Sequence, residues 1–198
     1  MGTVNDLLVC ITGASGTIYA ERLLRKVVTL VERVGLVLTP QGAEIAAHEL
    51  RWAMDFDALE LTGAPAEVME RLHLYHPDDL DSRYASGSVA PDAMIVIPCT
   101  TAAVARIAAG FGDNVMSRAA AVCLKERKPL ILVVREAPLS LIDLRNLTAL
   151  TEAGATVMPA SPPFYARPHT VEDLADYFVL RVLDQIGLRV EHPGRWAA

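Results

Sequence analysis

Four apolar runs in this chain end in residues equipped for chemistry. "LLVCIT" (7–12) leads into Gly13-Ala14-Ser15-Gly16, and "VGLVLT" (34–39) leads into Thr39-Pro40 and a segment carrying Glu49. "AMIVIP" (93–98) leads into Cys99-Thr100-Thr101, and "PLILVV" (129–134) delivers Arg135-Glu136 ahead of Pro138. Glycines after an apolar run permit close backbone approach, and a helix start offers free N–H groups to a phosphate. The first loop is neither Gly-x-Gly-x-x-Gly nor a Walker loop ending in Gly-Lys-Ser/Thr, so a mononucleotide suits it better than a dinucleotide or a triphosphate. Simple capping also explains Ser15, Thr39 and Thr100, and both readings stand at this point. Arg135 and Glu136 read either as an exposed ion pair or as crevice residues, where burial and charge tune a carboxyl for proton transfer.

The elements that must position these residues follow from the pattern. Continuous rather than alternating apolarity in these runs, and in "ATVMP" (155–159), suits strands covered on both faces, as in a parallel sheet. Helical stretches are expected over 17–33, 41–50, 101–110, 114–127, 141–153 and 171–187. The expected fold is α/β: a Rossmann-like (flavodoxin-like) open, mostly parallel, doubly wound sheet in one domain over 1–198. Residues 188–198 form a tail expected to close the site. Ligands of such sheets bind outside the carboxyl ends of the strands, where the four polar endings collect. The segment 75–93, dense in Pro, Gly, Ser and Asp, reads as a long loop of the kind that is functional or mobile.

Composition narrows the function. Hydrophobic residues make up 52% and charged ones 21%, enough apolar surface for a core. The net charge of -6, with no basic cluster, argues against nucleic acid. No apolar run approaches the ~18 residues of a membrane span, and the first residues lack a signal-peptide pattern, so a cytoplasmic protein is expected. Cys10, Cys99 and Cys123 lie in apolar segments without Cys-x-x-Cys spacing and read as packed thiols. His73 and His76 lack the companions of a metal site. Arg118, Lys125, Tyr165 and Arg181 are ordinary surface residues unless a constellation unites them.

The chain resembles the UbiX-type flavin prenyltransferases over nearly its whole length. The motifs that carry the resemblance are "TGASG" (12–16), "SGSVAPDAMIVIPC" (86–99), "SRAAAVCLKERKPLILVVREAPLS" (117–140), "PPFYARP" (162–168) and "LRVLDQIGL" (180–188). The resemblance implies a metal-independent enzyme that joins the dimethylallyl group of dimethylallyl monophosphate to N5 and C6 of reduced FMN. Its product, prenylated FMN, serves UbiD-type decarboxylases. Gly13, Ala14, Ser15, Thr39, Thr100, Thr101 and Arg135 match FMN-binding positions. Lys125, Tyr165 and Arg181 match the prenyl-phosphate ligands, with Arg118 and the Ser86-Gly87 loop assisting from a neighbouring subunit and Trp196 adding apolar wall. Ser15, Glu49, Glu136 and Lys125 match catalytic positions, Ser15 near N5 and the two glutamates in proton movement and phosphate departure. A homo-oligomer, commonly a dodecamer, is also implied.

The chain departs from the family pattern in two places. Many members read Cys-Ser-x-Lys-Thr where this chain has Cys99-Thr100-Thr101-Ala102-Ala103, and Thr39-Pro40 replaces a commoner Ser-Lys. Two other readings accompany the resemblance. An FMN-dependent cysteine decarboxylase would need a catalytic histidine and an Asn-containing motif that have no counterpart here, whereas a non-catalytic FMN carrier would tolerate Ala102 and Ala103.

Overall fold

A computed structural model describes residues 3–51, 68, 70–165 and 167–191. In chain order the elements are β1 (Asp6–Ile11), α1 (Thr17–Leu30), β2 (Arg33–Leu38), α2 (Pro40–Leu50), β3 (Leu72–Tyr75), β4 (Ala93–Cys99), α3 (Thr101–Ala108), α4 (Val115–Lys125), β5 (Leu130–Val134), α5 (Leu141–Glu152), β6 (Thr156–Pro159) and α6 (Val171–Gln185). The six strands form one sheet in the order β3-β2-β1-β4-β5-β6, and every pairing is parallel. The doubly wound α/β fold expected from the apolar runs is the one observed. The chain turns outward in opposite directions from β1 and β4, which opens a crevice between their carboxyl ends.

Two cores arise because successive strand residues face opposite sides. Leu7, Val9 and Ile11 of β1 join Ile95, Ile97, Ile131 and Val133 under α1 and α6. Leu8 and Cys10 join Met94, Val96, Leu130 and Leu132 under α3, α4 and α5. β1, β4 and β5 are thus apolar on both faces, which explains their unbroken runs. Cys10, Cys99 and Cys123 are buried free thiols, and desolvation first of all pushes their pKa values up, to about 12 for Cys99 and Cys123.

Three local features differ from the expectation. The first helix stops at Leu30 rather than 33, because Val31 is already extended and β2 begins at Arg33. Leu72–Tyr75 forms an additional edge strand, paired only with β2 among the described residues. Its four residues are all half-buried, so they lack the apolar run that marks the central strands. The 75–93 segment is tied down rather than loose: it contains two short 3-10 turns, Arg83–Ala85 and Gly87–Val89. The fully buried Tyr84 in the first of them donates its hydroxyl to Asp6 Oδ1 at 2.6 Å. Its ring sits on Gly35 of β2, where a Cβ would lie 2.5 Å from Tyr84 Cε2.

Gly35→Ala is therefore expected to destabilise the protein by about 1–3 kcal/mol through overpacking against this ring. Thermal unfolding of the variant checks this, and an unchanged Tm would mean that the Tyr84 clamp yields at no cost.

Candidate active site

The β1–α1 loop is fixed to the end of β4 by Thr12. This buried hydroxyl donates to the Pro98 carbonyl at 2.8 Å and accepts from the Thr100 N–H at 2.9 Å. The Thr12 N–H also donates to the Pro98 carbonyl, at 3.2 Å. Thr12 was not among the candidate residues. The one signal that singles it out is its place as the first polar residue after the β1 run.

Glycine is required where α2 closes on this loop. A Cβ at Gly13 would fall 2.5 Å from Gln41 Cβ, and one at Gly42 would fall 2.5 Å from the Ile11 carbonyl oxygen. Thr39 caps α2 by accepting from the Gly42 N–H, and Thr100 caps α3 by accepting from the Ala103 N–H, both at 3.0 Å. An accepting hydroxyl still has its own proton to give, so capping and ligand contact are compatible at Thr39 and Thr100. Thr101 follows as the first residue of α3. From the end of β5, Arg135 donates through Nε to the Ser15 carbonyl at 3.2 Å, which closes the other side of the loop. Glu136 beside it is exposed and accepts from the Ala137 N–H at 3.0 Å.

Glu49 reaches across from the last turn of α2 to the start of α1. Its carboxylate accepts from the Gly16 N–H at 2.9 Å, the Thr17 N–H at 2.9 Å and the Thr17 hydroxyl at 2.7 Å. Gly16, the N-cap of α1, has φ 100°, a left-handed conformation suited to glycine. Burial by itself would raise the Glu49 pKa. Hydrogen bonds from the Ser15 and Thr17 hydroxyls and from the Thr17 and Gly16 N–H groups outweigh it and hold the carboxyl below its ordinary value. Glu49 is thus an ionised acceptor next to Ser15, which is exposed to the crevice.

The remaining candidates fall into two further groups. Arg118 and Lys125 are seven residues apart on α4 and meet the 3-10 turns: Arg118 Nε donates to the Ala85 carbonyl at 3.0 Å. A Cβ at Gly87 would lie 2.9 Å from Lys125 Nζ, so the Ser86-Gly87 loop abuts the lysine, which pairs with Glu126 at 3.4 Å. Tyr165 and Arg181 instead line an apolar cavity of about 410 Å³ together with Met158, Pro159, Pro163 and Phe178. Arg181 also donates to Asp184 at 2.9 Å. The structure therefore joins Lys125 to Arg118 and Ser86-Gly87, and not to Tyr165 and Arg181. Trp196 lies outside the described residues.

These groups occupy different edges of the sheet. β6 ends beside β5, with Pro159 opposite Val134, so the Tyr165–Arg181 cavity shares the carboxyl edge with Arg135. Lys125 ends α4 just before β5 begins, and Ser86-Gly87 precedes β4, so both belong to the opposite edge. At ~3.3 Å per residue, the seven-residue β4 separates the two edges by roughly 20 Å.

The fold and crevice define a class, and comparison with known proteins agrees: residues 2–182 match the Flavoprotein family. The chain is 38% identical over 190 residues to the flavin prenyltransferase UbiX of Chlamydia pneumoniae, covering 96% of each chain. Among solved structures, AnUbiX (PadA1) in complex with FMN and dimethylallyl pyrophosphate superposes with a TM-score of 0.80 at 33% identity, covering 98% of each chain. A dodecameric FMN-dependent UbiX-like decarboxylase from Escherichia coli superposes at 0.82 with 37% identity, over 97% of this chain and 98% of that one. The chain belongs to the UbiX-type flavin prenyltransferase family.

The depressed pKa of Glu49 has a definite sign in stability. Because its folded value lies below the unfolded one, the stabilisation is present above ~4.3, the ordinary glutamate pKa, and is lost as pH falls through the folded value. Glu49→Gln is expected to be less stable than wild type at neutral pH, with the difference shrinking as the medium is acidified. Tm measured against pH tests this, and a gap that does not change with pH would contradict it.

Proposed function

We propose that the protein joins the dimethylallyl group of dimethylallyl monophosphate to N5 and C6 of reduced FMN, releasing phosphate and prenylated FMN. The observation that carries this reading is the crevice between β1 and β4, in which a glycine-built loop, two capping threonines with spare hydroxyl protons, Arg135 and the Ser15–Glu49 pair converge. These residues fit a flavin mononucleotide: Gly13 and Ser15 bring backbone close, Thr39, Thr100 and Thr101 offer hydroxyls, and Arg135 offers a cation on the Ser15 side of the loop. Bound reduced FMN supplies the nucleophilic N5 and the ring carbon C6.

The chain's residues do the rest by orienting the substrates, excluding water and moving protons. Ser15, whose hydroxyl donates to the ionised Glu49, would take a proton from the flavin edge and pass it on. Breaking the carbon–oxygen bond of the prenyl donor leaves charge on both fragments. Apolar walls such as Met158 and Phe178 shield the carbon side from water, while Arg181 and Tyr165 attend the phosphate. Lys125, Arg118 and Ser86-Gly87 add cations and donors for the same phosphate, and Glu136 returns a proton to it.

Of the second phosphate set, Lys125 and Ser86-Gly87 stand on the opposite edge of the sheet, out of reach of the first set within one chain. A neighbouring copy must bring them, which supports a homo-oligomer with sites at subunit junctions. The dodecameric relative supports assembly of that size, and the relative that binds FMN with dimethylallyl pyrophosphate supports the donor class. Among the described residues no helix is long and apolar enough to cross a membrane. A cytoplasmic protein that hands prenylated FMN to a UbiD-type decarboxylase fits these features.

Anaerobic incubation with reduced FMN and dimethylallyl monophosphate, followed by mass spectrometry of the flavin, tests the reading. Wild type should add one dimethylallyl unit, and an FMN carrier would return the flavin unaltered. Glu136→Gln and Lys125→Ala should each lower product formation at least about a hundredfold while FMN stays bound. Loss of FMN in both variants would contradict the assigned roles.

A further inference from the structure

A cavity of about 290 Å³ opens beside the flavin loop, lined by Thr12, Gly13, Thr39, Thr100, Ala102 and Arg106 among others. Among the described residues that line it, Arg106 is the one cation and Asp78 the one carboxylate. We propose that Arg106 binds the phosphate of FMN in this cavity and makes the site select a flavin phosphate over unphosphorylated riboflavin. The proposal rests on the flavin reading given above and adds a residue to it.

Three features support the assignment. First, the starts of two helices meet the same cavity. The Gln41, Thr101 and Ala102 N–H groups belong to first turns, where a helix leaves donors without intrahelical acceptors, and Thr39 and Thr100 add hydroxyl protons. Those donors are neutral, so an anion there still needs a counter-charge. Second, Ala102 and Arg106 are four residues apart and share one face of α3. The methyl group of Ala102 leaves the space above it open to the longer side chain. Third, the guanidinium is already oriented. It pairs with Asp113 and lies 5.9 Å from the centre of the Phe111 ring. Arg106 and Asp113 remain 42% and 53% exposed, so this pair is weak and uses only part of a five-donor fork. The rest of the fork is available to phosphate oxygens, which planar guanidinium groups bind in pairs. Asp78, on the Pro77 side of the cavity, disfavours an anion there and leaves the α3 side as the place for it.

Titration of oxidised FMN and riboflavin into the purified protein, read by flavin fluorescence, tests the proposal. Arg106→Ala should weaken FMN binding about tenfold or more, the size of one lost charge-assisted contact, and leave riboflavin binding unchanged. Arg106→Lys, which keeps the charge, should give a smaller loss confined to FMN. Asp113→Asn should bind FMN within about twofold of wild type, as expected on losing only an exposed pair. Wild-type affinity in Arg106→Ala, equal weakening of both flavins in both Arg106 variants, or a loss in Asp113→Asn as large as in Arg106→Ala would each overturn the assignment while wild type still bound FMN. A wild-type protein that bound neither flavin would overturn the flavin reading as well.

Discussion

The Thr12 hydroxyl holds together the two strands whose divergence creates the crevice. It is buried, donates to the Pro98 carbonyl and accepts from the Thr100 N–H, so it joins the end of β1 to the end of β4. Each such bond adds only about 0.5–1.5 kcal/mol net, but removing the hydroxyl would take the acceptor from the Thr100 N–H and leave the Pro98 carbonyl with the Thr12 N–H alone. The other residues of the crevice are arranged around this tie. Gly13, next to Thr12, sits against α2, Thr100 caps α3, and Arg135 meets the Ser15 carbonyl across the gap. Glu49 then closes the far side by capping α1.

A parallel sheet imposes a second constraint, since all its strands start on one edge and finish on the other. The flavin loop and the Tyr165–Arg181 cavity fall on the finishing edge, whereas Lys125 and Ser86-Gly87 fall on the starting edge. No side-chain motion spans a gap of roughly 20 Å, so a chemistry that needs both sets requires two chains. The surface agrees with this division. Leu141, Ile142 and Phe164 are 61%, 68% and 72% exposed in the single chain, apolar area that a second copy would be able to cover.

Much of this architecture was legible in the sequence because the central strands are buried on both faces and announce themselves as apolar runs. The polar endings at Gly13, Thr39, Thr100 and Arg135 could be assigned to one edge once the strands were taken as parallel. Other features were hidden for physical reasons. Leu72–Tyr75 is a short edge strand whose half-buried residues carry no continuous run, and only its pairing with β2 makes it a strand. Tyr84 looked like a loop residue, yet its burial depends on Gly35, 49 positions away in the chain. The family resemblance named Lys125, Tyr165 and Arg181 together, but which edge each occupies is a property of the fold. Arg106 belongs to no motif, and its place beside the cavity at Ala102 is likewise a property of the fold.

In a site shared between copies, one chain supplies the flavin crevice and another supplies the Lys125 set. Subunit mixing tests it most directly: Arg135→Ala lacks a crevice residue, Lys125→Ala lacks a residue of the opposite edge, and each is assayed alone and after co-expression. Both homo-oligomers should be inactive, and the mixed oligomer should regain prenylation, to about a quarter of wild type if two chains pair at random at each site. A mixed oligomer as inactive as its parents would contradict a site shared between chains.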